Sequence, residues 1–192
     1  MEKVALLPST PAGGSVAALN AASAAALAEM ASRLTADKAG DKALAKEMKG
    51  MEEVFHSYRV KFTDAIEEDA KVFSEVLSAY KLAADCAENR KIRDKKIQES
   101  YKKAVIVPIK LAEDIWAMMQ LIKMQHHDIG DSYITDSAQA YMLAETALKS
   151  LIYHIKSNLI YIRDNEFTEK IEGVLEAICI RGQKAESNKT MT

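Results

Sequence analysis

From Gly40 to Cys86 the chain carries no proline and a single interior breaker, Gly50, and no strand-like alternation competes anywhere along it. Only helices fit such a stretch. Met48, Met51, Val54, Phe55 and Tyr58 recur at three-to-four spacing, and Phe62, Ile66, Val72, Phe73, Val76 and Leu77 continue the stripe with some slippage, the period of an amphipathic helix. One very long helix, or two broken near Gly50, would satisfy the pattern. With 7 glycines and 3 prolines in 192 residues, the chain is too poor in turn formers for a sandwich or barrel. The expected fold is all-α: an up-and-down bundle of about six helices in one domain covering residues 1–192.

The elements can be placed from their punctuation. Ser9-Thr10-Pro11-Ala12-Gly13-Gly14-Ser15 reads as a loop opening into Val16-Ala17-Ala18-Leu19, with Ser15 as helix cap and the two glycines free to take positive φ. The helix that follows carries Ala17, Ala21, Ala24, Ala25 and Ala28 on or near one face. Small side chains admit a neighbouring backbone, so this helix is expected at the centre of the bundle, ending near Leu34-Thr35. Glu88 to Lys91 reads as a turn, with a new helix from about Asp94. Pro108 lies within it and is expected to kink or divide it, since proline removes a donor and clashes with the preceding turn. Asp136, with Gln139 three residues on, has the form of a capping box opening a helix that runs to about Arg163. A last helix is expected from Thr168 to Gly182. Residues 1–14 form a lead-in and glycine loop, and 185–192 a frayed tail.

Charge and composition exclude several functions. Twenty-six basic residues against 28 acidic ones give a net charge of -2, with no basic excess to attract nucleic acid. Cys86 and Cys179 stand far apart in no CxxC motif, so neither a disulfide framework nor a thiolate zinc site is expected. The apolar stretch Ser15 to Ala31 is mostly alanine and includes Asn20 and Glu29, too weak for a membrane span of about 20 residues. A cytoplasmic protein is expected. Nucleotide-binding loops, HExxH and GxSxG are missing from the sequence. His126 and His127 are adjacent and on a helix point about 100° apart, a poor pair of metal ligands; no metal site is expected.

Thr10-Pro11-Ala12-Gly13-Gly14-Ser15-Val16-Ala17-Ala18-Leu19, followed by Leu34-Thr35, resembles the signature of the formiminotetrahydrofolate cyclodeaminase/methenyltetrahydrofolate cyclohydrolase family. Similar segments follow in the family's order across nearly the whole chain: Glu68-Asp69-Ala70-Lys71-Val72-Phe73, Ile97-Gln98, Val107-Pro108, Thr135-Asp136, and His154-Ile155-Lys156-Ser157-Asn158-Leu159. Two positions depart from the pattern: Ala12 stands at a family glycine and His154 at a family asparagine, which marks a divergent member. The resemblance implies an all-helical homodimer, or a larger assembly of dimers, acting on reduced folates. One branch of the family closes 5-formiminotetrahydrofolate to 5,10-methenyltetrahydrofolate with loss of ammonia. The other interconverts the 5,10-methenyl and 10-formyl forms. Neither reaction calls for a metal or redox cofactor; the folate is substrate.

Matched residue by residue, the resemblance nominates Asp136 as the carboxylate beside the cationic carbon, and a histidine at 154 would suit a proton shuttle at neutral pH. The loop from Pro11 through Gly13 and Gly14 to Ser15 would present backbone N–H groups to the substrate, Pro11 shaping the turn and not donating. Thr35 and Lys38 follow the first helix, where Lys38 would bind the glutamate tail or act as an acid. Lys156 and Asn158 complete the substrate-binding set, Asn158 sharing a helix face with His154. Each has a plainer alternative: a helix cap for Asp136, an exposed lysine for Lys38, a hydrogen-bonded helix residue for His154. The functional expectation requires the glycine turn and Asp136 to converge on one pocket. A non-catalytic bundle that binds a folate or a protein partner is the alternative.

Overall fold

The computed structural model describes residues 12–187, with side chains through residue 180, so Pro11 lies outside the described residues. Five α-helices follow one another: α1 (Gly13–Lys38), α2 (Lys42–Tyr80), α3 (Ala87–Gln125), α4 (Ile134–Leu159) and α5 (Asn165–Ser187), with a 3-10 turn at Asp131–Tyr133 before α4. The described residues contain no strand. The helix count is five where about six were expected, because neither breaker breaks. Gly50 is exposed with open space around it, so it costs α2 only the propensity penalty of glycine, about 1 kcal/mol. Pro108 sits inside a continuous α3, for a reason given below.

Four helix starts differ from expectation, α5 among them, which runs Asn165–Ser187 and not Thr168 to Gly182. The turn before α3 falls at residues 81–86, and Cys86, whose Sγ accepts from Asn89 N at 3.4 Å, caps a helix that begins at Ala87 rather than near Asp94. Helix α4 begins at Ile134, which places Asp136 within its first turn instead of at the cap. Helix α1 begins at Gly13, so Ser15 is likewise inside the first turn and its hydroxyl points elsewhere. Both polar residues lie past the position where a side chain could cap the helix.

Alanine dictates the packing. Ala17, Ala18, Ala21, Ala24, Ala25 and Ala28 are fully buried, because α1 lies between α2 and α4. Without bulk of its own, α1 lets those helices approach closely, and its neighbours supply the volume: Phe55 and Phe62 from α2, Ile115, Met118 and Ile122 from α3, Leu151 and Ile155 from α4. Small against large fills the interior at close-packed density.

One charge interrupts this alanine surface. Glu29 is 5% exposed; its Oε2 accepts from Arg59 Nε at 2.5 Å and its Oε1 from Arg33 Nη2 at 3.0 Å, with His56 Nδ1 3.2 Å away. Burial alone would raise the Glu29 carboxyl, but the hydrogen bonds and charges of Arg59 and His56 outweigh it and hold the group below its ordinary value of 4.5. A carboxyl depressed by folding stabilises above its unfolded pKa and loses that contribution as pH falls through the folded one. Glu29→Gln is therefore expected to lower stability at pH 7 by about 1–2 kcal/mol. The gap between wild type and variant should narrow as the pH falls below 4.5, as urea denaturation at pH 7 and at pH 4 would measure.

Candidate active site

On α2 the core-facing positions run Phe62, Ile66, Asp69, Val72, Val76, so at the middle slot of an apolar stripe stands a carboxylate. Asp69 has a side chain only 14% exposed. Ser15 Oγ donates to Asp69 Oδ2 at 2.8 Å and also lies 3.1 Å from the carbonyl oxygen of Ile66. The adjoining glycine is required by contact. A Cβ added at Gly14 would lie 2.6 Å from Asp69 Cγ, so no larger residue lets the first turn of α1 come this close to the carboxylate. The positive end of the α1 dipole thereby meets a negative group. Both Gly13 and Gly14 are helical and not at the positive φ expected of them; Gly14 provides clearance, whereas a Cβ at Gly13 would meet open space.

Helix α4 completes the cluster. His154 Nε2 stands 3.4 Å from Asp69 Oδ1 and 3.5 Å from Asn158 Nδ2. When protonated, that nitrogen faces the carboxylate; when bare, it can accept from the amide. Asn158, 5% exposed, is oriented by its other contact, in which Nδ2 donates to the Ala104 carbonyl at 3.1 Å. That carbonyl is the one orphaned by Pro108, which has no N–H to give four residues back. The amide of Asn158 replaces the missing donor, keeps α3 helical through its proline, and ties α4 to α3 at the level of His154.

A groove opens beside this cluster between α2 and α3. The Lys61–Asp114 and Glu75–Lys103 pairs, at 2.5 and 2.7 Å, fix the two helices antiparallel and bring Pro108 level with Asp69. The groove has a cavity volume of about 190 Å³, open to solvent, over an apolar floor of Ala65, Val107, Pro108, Leu111 and Leu151. Glu68 and Asp69 line one end and Lys61 and Asp114 the other, with Lys110 on α3 between them. Burial and the nearby Asp114 carboxylate push the phenol of Tyr58 upward, so Tyr58 remains a neutral neighbour of that far end.

The remaining nominated residues lie elsewhere. Thr35 Oγ1 accepts from Gly130 N at 3.4 Å, and the Lys38 ammonium lies 4.9 Å from the centre of the Tyr133 ring. Asp136 is three residues beyond Tyr133, in the first turn of α4. Ser15 and Thr35 are separated by about 30 Å of rise along α1, so this second group occupies the opposite end of the bundle. The expected convergence of the glycine turn with Asp136 does not occur within the chain. Lys156 lines a separate cleft with Glu172, Leu175, Glu176 and Cys179, two residues and about 200° of helix from His154. Gly14, Ser15, His154 and Asn158 do come together, and Gly13 adjoins them. The acid that unites them, Asp69, had been given no role, although the sequence held a signal: an aspartate in a core-facing slot between Ile66 and Val72.

The chain is similar to known proteins over most of its length. Residues 1–177 match the family model described as Formiminotransferase-cyclodeaminase. The mouse (Mus musculus) formimidoyltransferase-cyclodeaminase is 31% identical over 170 residues, which cover 88% of this chain but 31% of that protein; the chain thus spans about a third of the length of this mammalian relative. A methenyltetrahydrofolate cyclohydrolase from Methylorubrum extorquens is 29% identical over 170 residues, covering 86% of this chain and 82% of the relative. The crystal structure of formiminotetrahydrofolate cyclodeaminase from Thermotoga maritima superposes with a TM-score of 0.81 at 25% identity, covering 92% of this chain and 84% of that one.

The pairing of Asn158 with the proline-orphaned carbonyl can be tested by a double-mutant cycle. Asn158→Leu should cost about 1–3 kcal/mol by leaving a buried acceptor unmatched. In a Pro108→Ala background, where residue 108 regains an N–H, the same substitution should cost at least about 1 kcal/mol less. Equal losses in both backgrounds, measured by chemical denaturation, would show that the amide does not serve the proline.

Proposed function

The chain belongs to the formiminotransferase-cyclodeaminase family, and from that premise we propose that it is a folate one-carbon enzyme. It closes 5-formiminotetrahydrofolate to 5,10-methenyltetrahydrofolate with release of ammonia, or interconverts the 5,10-methenyl and 10-formyl forms with water. The single observation that carries the proposal is the Asp69–His154 pair, 3.4 Å apart at one end of an apolar groove. Both reactions pass through a tetrahedral carbon between N5 and N10, so one acid–base pair serves either.

Ring closure divides between the two side chains. N10 attacks the formimino carbon, and Asp69 takes the N10 proton as the new C–N bond forms. The formimino group enters in its protonated, amidinium form, so its nitrogen is an NH2 once N10 has added; His154, protonated, gives it the third hydrogen, and the C–N bond breaks to release ammonia. The methenyl product carries a positive charge that the Asp69 carboxylate then faces at short range, in a site partly shielded from water. Transfer of the proton from Asp69 to His154 across their contact restores the starting state. In the hydrolytic direction Asp69 takes its proton from water instead. The oxidation state of the carbon does not change, and the scheme asks only for positioning, a base and an acid.

Ser15 and Asn158 hold the pair from either side, and the groove receives the flat aromatic part of the substrate against Pro108 and Leu111. The same proposal places the protein in the cytosol as a homodimer or an assembly of dimers. Among the described residues no helix is long and apolar enough to cross a membrane. The outer face of α4 carries exposed Met142 and Tyr153, with exposed Ile160 just past its end, an apolar surface suited to a second copy.

Purified protein should convert 5-formiminotetrahydrofolate, or hydrolyse the methenyl form, as followed by the absorbance of the methenyl compound. Asp69→Asn should lower kcat by about 10²–10⁴-fold while the protein stays folded, whereas Asp136→Asn should stay within about threefold of wild type. The reverse ranking would move the active site to the other end of the bundle. Loss of neither activity, or no turnover of either folate by wild type, would remove the assignment.

A further inference from the structure

The groove is longer than the reacting centre needs, and its two ends differ in charge. Lys61 lies eight residues before Asp69 on α2 and lines the same groove, about 12 Å away by helical rise. Across from it, Lys110 and Asp114 stand one turn apart on α3. Asp114 is committed to Lys61 at 2.5 Å. Lys110, one turn nearer to Asp69 than Asp114 is, is exposed and has no ion pair among the described residues, so the α3 wall of the groove carries one uncompensated positive charge. Between the two ends the floor is apolar: Ala65, Val107, Pro108, Leu111 and Leu151. Such a site suits an elongated ligand that reacts at one end, is flat and apolar in the middle, and is anionic at the other.

Resting on the folate proposal, we infer that Lys110, with Lys61 beside it, binds the carboxylate of the substrate's glutamyl tail. The aminobenzoyl ring then lies on Pro108 and Leu111. The dimensions agree. From N10 through the ring and amide to the glutamyl α-carboxylate is about 9 Å of extended covalent chain, and the flexible stems of two lysines span the remainder. The carboxylate meets Lys110 directly and reaches Lys61 at the edge of its pair with Asp114. This assigns tail recognition to the groove beside Asp69 and not to Lys38, whose ammonium sits over Tyr133 at the other end of the molecule. These lysines are specificity-determining residues that act on binding and leave the chemical step alone.

The test compares tetrahydrofolate with tetrahydropteroate, which lacks the glutamate, by calorimetric Kd, and the corresponding formimino substrates by KM and kcat. Wild type should bind the glutamyl compound at least about tenfold more tightly. Lys110→Gln should remove most of that difference, raising KM for the glutamyl substrate about tenfold while kcat and the binding of the pteroate stay within about twofold. Lys110→Arg should retain most of the preference. Lys61→Gln, which also frees Asp114, should weaken the glutamyl compound further, with thermal melting checking its fold. If wild type binds both compounds equally, or Lys110→Gln weakens both alike or neither, the tail assignment is overturned while the folate proposal stands. If wild type neither binds nor converts either compound, the folate proposal falls and the tail assignment with it.

Discussion

The site depends on a carboxylate brought against the start of a helix. Asp69 reaches the first turn of α1 only because residue 14 has no side chain, and it stays there because Ser15 donates to it at 2.8 Å. Taking a carboxylate out of water costs several kcal/mol unless charge and hydrogen bonds compensate. Here a hydroxyl, a helix N-terminus and an imidazole surround it. The glycine-serine segment therefore serves as the socket of the acid, with the alanine helix behind it setting how closely α2 and α4 can approach.

A second constraint runs through Pro108. A proline within a helix leaves a carbonyl unmatched, and the structure answers with Asn158 from α4. The same amide nitrogen is 3.5 Å from His154, so one residue both closes the gap in α3 and limits where the imidazole can point. Pro108 also presents its ring to the groove floor. Stability and substrate placement thus share a residue, and three helices meet at one level of the bundle because α3 carries an imperfection there.

Much of this was legible in the sequence, unevenly. Scarce glycine and proline with three-to-four apolar spacing led to an all-helical bundle, and the alanine face placed α1 at its centre. The Ser15 and Asp136 starts were misplaced because a polar residue in the first turn looks, in one dimension, like a cap one turn earlier. Pro108 reads in the sequence as a kink or a division because its compensating donor, Asn158, lies far along the chain. The glycine turn, His154 and Asn158 were nominated and do gather at one site. Asp136, Thr35 and Lys38 were nominated with them, yet they sit at the other end, since motif order carries no information on which end of a long helix a residue occupies. Asp69 had no role on paper, although an acid in a core-facing slot was the clearest irregularity in the stripe of α2.

The most direct measurement is a crystal structure of the protein with 5-formyltetrahydrofolate, a stable relative of the proposed substrates. The pteridine and its N5 substituent should lie against Asp69 and His154, with the aminobenzoyl arm along Pro108. Ligand density beside Asp136, Lys38 and Tyr133, with the Asp69 groove empty, would contradict the placement of the active site.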